Sequence, residues 1–128
     1  MTARQILALG AVLAGIAVAL GAFGAHLLRP RLSEKMMEVF ETGVRYHMFH
    51  ALALLFSGWA YAQYEESTIF RKASWAFFGG IVFFSGSLYM LSLSDTRWFG
   101  AITPIGGVLF LTGWLCLAIG FLRRPQSS

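Results

Sequence analysis

The chain has 128 residues, of which 57% are hydrophobic and only 12% charged, with a net charge of +4 and a mean hydropathy of +0.65. A domain this small has too little interior to hide so much apolar surface, and its charged fraction is far below the roughly 25% usual in soluble domains, which excludes an ordinary soluble enzyme and points to an integral membrane protein. The basic residues form no patch for nucleic acid; Arg4, Arg29, Arg31, Arg71, Lys72, Arg97, Arg123 and Arg124 sit at the ends of apolar runs, as membrane anchors do.

Residues 6–28 form an apolar run long enough to span a bilayer and longer than the core of about 7–15 residues of a secretory signal. Small residues fall on two adjacent stripes of this helix, Ala11, Gly15, Ala19 and Ala22 with His26, and Gly10, Ala14, Gly21 and Ala25. Such residues let helix backbones approach closely in lipid, so this helix is expected to be central and contacted on more than one side. Pro30 ends it, because helix is disfavoured at the residue before proline.

Residues 32–45 place Leu32, Met36, Val39, Phe40 and Gly43 on one face, which predicts an amphipathic helix lying in the membrane interface. Ser33 can cap it, Glu34 suits its first-turn dipole, and Glu41 can pair with Arg45. The second span, 46–63, carries a small and polar stripe of Tyr46, His50, Ala53 and Ser57 continuing from Gly43. A charged loop over 64–72, with Glu65, Glu66, Arg71 and Lys72, leads to the third span, 74–93, which holds Gly79-Gly80 and Phe84-Ser85-Gly86-Ser87-Leu88-Tyr89. After a turn with Ser94, Asp95 and Arg97, the fourth span, 101–122, opens on Thr103-Pro104-Ile105-Gly106-Gly107 and later contains Gly113-Trp114. Pro104 is tolerated there because the first turn leaves its missing amide unpaired anyway. The one cysteine, Cys116, lies within this run; it can form no intrachain disulfide and reads as packing.

Short connections make an antiparallel four-helix transmembrane bundle with an interfacial helix between helices 1 and 2 the expected fold of residues 1–128 as a single membrane domain. In that arrangement His26, Tyr46, His50, Ser85, Ser87, Tyr89 and Thr103 share one leaflet, opposite the termini. At about 1.5 Å rise per residue, His50 and Tyr89 lie roughly 6 Å from their helix ends and Ser85 roughly 12 Å. Gly15, Gly21, Gly24, Gly43, Gly79, Gly86, Gly106, Gly107 and Gly113 are the expected helix-packing positions. Basic residues are balanced between the two sides, and the paired cations flanking spans three and four favour cytoplasmic termini.

Gly21-Ala22-Phe23-Gly24-Ala25-His26, Thr42-Gly43 with Tyr46 and His50-Ala51, the Phe84 to Tyr89 stretch, the Thr103 to Gly107 stretch and Gly113-Trp114 occur in order along nearly the whole chain. In these the chain resembles the YgdD-like small bacterial membrane proteins of the domain of unknown function 423 family, which is related to an animal transmembrane protein, transmembrane protein 256. The resemblance implies four membrane helices in a bacterial inner membrane and supplies no reaction. It also implies Gln as the usual residue where this chain has His47.

Ionisable groups inside a membrane are functional candidates by default, and His26 and His50 lead here. The bland alternative is that each histidine hydrogen-bonds across the bundle to Ser85, Ser87, Tyr89 or Thr103. Three classes of function follow. The first is a structural or accessory protein docking to other membrane proteins or to itself, favoured by small size and the lack of a nucleophile–base pair or of any carboxylate inside a span. The second is a transporter-like or lipid- or small-molecule-binding protein using the polar cluster. The third is a haem or metal protein ligated by His26 and His50, disfavoured because no Cys or carboxylate stands near them. The expectation is therefore no catalysis, no metal, no cofactor and no nucleic acid, with the lipid bilayer as constant partner.

Overall fold

The Thr2 hydroxyl accepts the Gln5 amide at 3.2 Å while the Gln5 side chain accepts the Thr2 amide at 3.0 Å, a reciprocal cap that starts the first helix. The structure, a computed structural model, describes residues 1–64 and 67–123. Helix α1 spans Ala3–Leu28, its last turn, Gly24–Leu28, being π-helical. Helix α2 runs Glu34–Gln63 and is capped by the Ser33 hydroxyl, which accepts the Met36 amide at 3.1 Å. Helix α3 spans Thr68–Ser94 with a π-helical turn at Ile81–Ser85. A 3-10 turn, Arg97–Ala101, leads into α4, Thr103–Leu122, with Pro104 in its first turn as expected. No strand occurs among the described residues.

Two expected boundaries are corrected. The amphipathic segment starts at Glu34 rather than Leu32, and the second span leads directly out of it, Glu34–Gln63 being one unbroken helix of 30 residues; the change in composition at Arg45 carries no proline or glycine pair to bend the backbone there. The 64–72 loop is shorter than expected, because α3 begins at Thr68 and places Arg71 and Lys72 inside it; Glu65 and Glu66 lie outside the described residues, as do Arg124 and the tail beyond it. Glu41 pairs with Arg29 at 2.6 Å rather than with Arg45.

Extensive backbone contacts join α1 to α2, α2 to α3 and α3 to α4, so α2 and α3 are the inner helices. The expectation that α1 is central is overturned: only 17% of its most apolar stretch is buried, against 39% for α3. Three segments are long and apolar enough to cross a membrane, Ala3–Leu28, Thr68–Ser94 and Arg97–Leu122. The expected second span, 46–63, is not among them, because its histidines, tyrosines and Ser57 lower its hydropathy. Most of those groups turn inward instead: His47, His50, Ser57 and Tyr61 are buried, while Tyr46 is exposed.

Glycine against aromatic sets the spacing of the α3–α4 seam. Phe70 and Phe77 of α3 lie over Gly120 and Gly113 of α4, and the backbone of Phe84 lies over Gly106. A Cβ on Gly113 would come within 2.5 Å of the Phe77 ring, and one on Gly106 within 2.6 Å of the Phe84 Cα. Where α1 meets α2, Gly10 meets Leu55, Gly58 meets Ile6 and Gly24 meets Phe40. Of the glycines expected to pack helices, Gly24, Gly43, Gly106 and Gly113 do so tightly, Gly79 lies close to the Leu109 side chain, and Gly21 has an ordinary neighbour. Gly15, Gly86 and Gly107 have nothing within 4 Å of a Cβ position. Gly10, from the small-residue stripe of α1, and Gly80 also pack closely, as do Gly58 and Gly120, which the sequence did not mark. The central cluster joins Ile6, Leu54, Tyr61, Phe70, Phe77 and Leu117, with Cys116 packed against it.

Candidate functional site

His50 sits on the inner part of α2 because its neighbours at helical spacing, Gly43, Ala53 and Ser57, are small enough to let α3 approach. Its Nδ1 lies 2.8 Å from the Tyr46 carbonyl one turn earlier, and its Nε2 accepts from the Trp114 indole of α4 at 3.1 Å. An indole nitrogen can only donate, so Nε2 carries the lone pair and Nδ1 the proton. Both nitrogens are thereby engaged. The ring also stacks on Phe110 at 3.5 Å between centroids, within 11° of parallel. Tyr46, His50, Phe84, Phe110 and Trp114 line a groove of about 500 Å³ along the α2–α4 flank, open at Gly107.

A second set lies on the neighbouring face of α2. Nδ1 of His47 is 2.8 Å from the Tyr89 hydroxyl of α3. Nε2 of His47 is buried with no hydrogen bond of normal geometry, and the Leu13 backbone of α1 is the polar group the ring approaches. Tyr89 also packs on Phe40 at 5.3 Å and against Gly43. One turn earlier in α3, the Ser85 hydroxyl donates to the Gly43 carbonyl at 2.7 Å, crossing between helices at the π-helical turn. Ser87 forms a third set, donating to the Phe84 carbonyl at 2.8 Å and sharing a 2.6 Å hydrogen bond with the Thr103 hydroxyl.

The seven residues expected to share one polar cluster are therefore dispersed. Tyr46 and His50 belong to the groove, Ser85 and Tyr89 to the α2–α3 seam, and Ser87 and Thr103 to the α3–α4 seam. His26 stands apart on the exposed surface of the π-helical end of α1. The expected histidine partners are likewise corrected: His50 is held by Trp114 and Tyr46, and the histidine that reaches Tyr89 is His47. Three groups escaped the sequence reading: His47, Trp114 as a hydrogen-bond donor, and the buried pair Ser57 and Ser74, joined at 2.7 Å between α2 and α3. The regular placement of Ser57 and Ser74 within apolar runs was the signal available for the last.

The donor set does not suit a haem or a metal. Nε2 of His50 is already held by an indole N–H, His26 is exposed and bonded to nothing near His50, and no group of three His, Cys, Asp or Glu gathers among the described residues.

Residues 20–107 match the family described as "Protein of unknown function (DUF423)". The chain is 50% identical over 120 residues to a UPF0382 membrane protein of Staphylococcus epidermidis, covering 94% of this chain and 97% of that one. It is 43% identical to the UPF0382 membrane protein YwdK of Bacillus subtilis, covering 94% and 98%. Against the UPF0382 inner membrane protein YgdD of Escherichia coli K12 it is 44% identical over 129 residues, covering 100% of this chain and 97% of the relative. No solved structure matches the chain. A chain with long apolar helices, similar along its length to proteins carrying that label, belongs to the DUF423 (UPF0382) family of membrane proteins, which has no established activity.

Proposed function

We propose that the chain is a non-catalytic, multi-pass inner-membrane protein with a structural or accessory role, docking through the outer face of α1 to another membrane helix. The carrying observation is a contrast between the two flanking helices. The outward residues of α4 are bulky, with Leu111 71%, Val108 62% and Leu115 60% exposed, as lipid contact favours. The outward face of α1 presents a stripe of Ala8, Ala11, Gly15, Ala19 and Ala22, all exposed and flanked by Val12 and Val18, the kind of surface that membrane helices use to approach one another.

Two further points support this reading. In an antiparallel four-helix bundle, early α1 residues meet late α2 residues, as Ile6 does Gly58, and early α3 residues meet late α4 residues, as Phe70 does Gly120. This gives the termini a common side, which we take to be cytoplasmic. The hydroxyls at the seams and both nitrogens of His50 are also committed to other side chains or to backbone carbonyls, which supports reading them as fasteners between helices.

Cysteines introduced singly at Gly15 and Ala19 test the proposal by oxidative cross-linking in native membranes, with Leu115→Cys as the lipid-facing control in a Cys116→Ala background. Cross-linked adducts from the α1 positions alone are expected; equal yields from Leu115 would remove the reading. The groove beside His50 supports a second reading, binding of an apolar small molecule or lipid chain against Tyr46 and Trp114. Filling it with Gly107→Leu, at a position with open space, should then abolish function without changing stability.

A further inference from the structure

We infer that the cleft between the start of α2 and the end of α3 holds the phosphate headgroup of an anionic membrane phospholipid. The cleft measures about 540 Å³ and lies away from the His50 groove. Two cations reach it from distant parts of the sequence, Lys35 in the first turn of α2 and Arg97 just after α3. Neither forms an ion pair among the described residues, whereas Arg29 nearby in sequence is held by Glu41. Asp95 is the one carboxylate in the lining, so the cleft is net positive. Glu34 and Glu38 line a different hollow with Arg29.

The remaining walls fit the rest of a lipid. The Ser33 hydroxyl accepts the Met36 amide and keeps its own hydrogen to donate. Met36, Val39 and Leu91 give an apolar floor. Depth is marked by Trp98, next to Arg97, which is 60% exposed and stacked on Phe99 at 4.2 Å. Exposed indoles of membrane proteins settle at headgroup level, and basic pockets between membrane helices suit anionic headgroups. Arg97 can grip two phosphate oxygens while Lys35 acts as a point charge. The apolar floor favours a lipid over a soluble phosphate, which would use only the polar half of the cleft.

The test uses the full chain in mild detergent, with native mass spectrometry and thermal unfolding in the presence of phosphatidylglycerol, phosphatidylcholine or inorganic phosphate. One phosphatidylglycerol should be retained per chain and should raise the unfolding temperature more than phosphatidylcholine does. The pair Lys35→Gln with Arg97→Gln should weaken phosphatidylglycerol binding roughly thirtyfold, at about one cation's worth of attraction to an anionic surface each. The pair Lys35→Arg with Arg97→Lys should retain it, as should Arg4→Gln with Arg71→Gln, whose cations lie elsewhere. Equal effects of the two lipids, an undiminished preference in the Gln pair, loss of preference in either control pair, or displacement of the lipid by inorganic phosphate at equal concentration would overturn the inference.

Discussion

The indole N–H of Trp114 donates to Nε2 of His50 across the α2–α4 flank, at 3.1 Å, and so fixes which nitrogen of a buried histidine carries the proton. Removing the donor with Trp114→Phe strands a buried acceptor. Hydrogen bonds between membrane helices average about 0.6 kcal/mol and reach about 1.7. Trp114→Phe and His50→Gln should each destabilise on that scale, and the double variant should cost less than the sum of the two. A double-mutant cycle of unfolding in detergent measures this; strict additivity would mean that the pair is not coupled.

Gly106 and Gly107 are adjacent in sequence and opposite in environment. Gly106→Ala drives a methyl group into the backbone of Phe84, whereas Gly107→Ala projects one into open space. Overpacking in a tight interior costs about 1–3 kcal/mol, and here the obstacle is backbone, which cannot turn aside as a side chain can. Gly106→Ala should lower the unfolding temperature and the monodisperse fraction on size-exclusion chromatography, and Gly107→Ala should leave both unchanged. Similar behaviour of the two variants would contradict the seam as described.

His47 and Tyr89 allow a chemical comparison at one position. Gln at 47 keeps an acceptor for the Tyr89 hydroxyl and should fold with near-native stability. Leu at 47 leaves that hydroxyl unpaired at a half-buried seam, which costs about 1–3 kcal/mol. Tyr89→Phe combined with His47→Leu should recover part of the loss, since neither partner is then stranded. Equal unfolding temperatures for the Gln and Leu variants would rule out a role for the hydrogen bond.

Arg29 and Glu41 join the end of α1 to α2, but their side chains are 60% and 42% exposed. Exposed ion pairs are worth at most about 1 kcal/mol and weaken with salt. Arg29→Gln should therefore shift the unfolding midpoint slightly at low ionic strength and not measurably at high ionic strength. A large, salt-independent loss would assign Arg29 some other contact.

Elements were legible in the sequence where local chemistry decides them. Ser33 as cap, Pro104 in a first turn and the apolar runs of α1, α3 and α4 need no tertiary knowledge. The order of the helices does need it. A stripe such as Ala11, Gly15 and Ala19 invites close approach without saying whether the visitor belongs to the same chain, so α1 read as central when it is peripheral. The change in polarity at Arg45 divides α2 by composition, although no backbone signal accompanies it and the helix runs straight through. His47 was discounted because the resemblance implies Gln there, although either residue can bond Tyr89. The match between Phe70, Phe77 and Phe84 and Gly106, Gly113 and Gly120, each set at intervals of seven, was present in the sequence. It becomes meaningful only once α3 and α4 are known to be neighbours.

The π-helical turn at Ile81–Ser85 shifts by one residue the numbering of the faces of α3 while the rod itself continues. An α-helix advances about 100° per residue, and a π-turn is in effect one residue more than the regular helix would hold. Upstream of it, Phe70 and Phe77 face α4; downstream, Tyr89 faces His47 and Ser87 faces Thr103. Deleting one residue from this turn would restore a regular α-helix with the downstream segment facing as before, so Tyr89 and Ser87 would keep their partners. This one turn therefore takes up a residue of length without turning the rod, a slack in residue number that composition alone does not reveal.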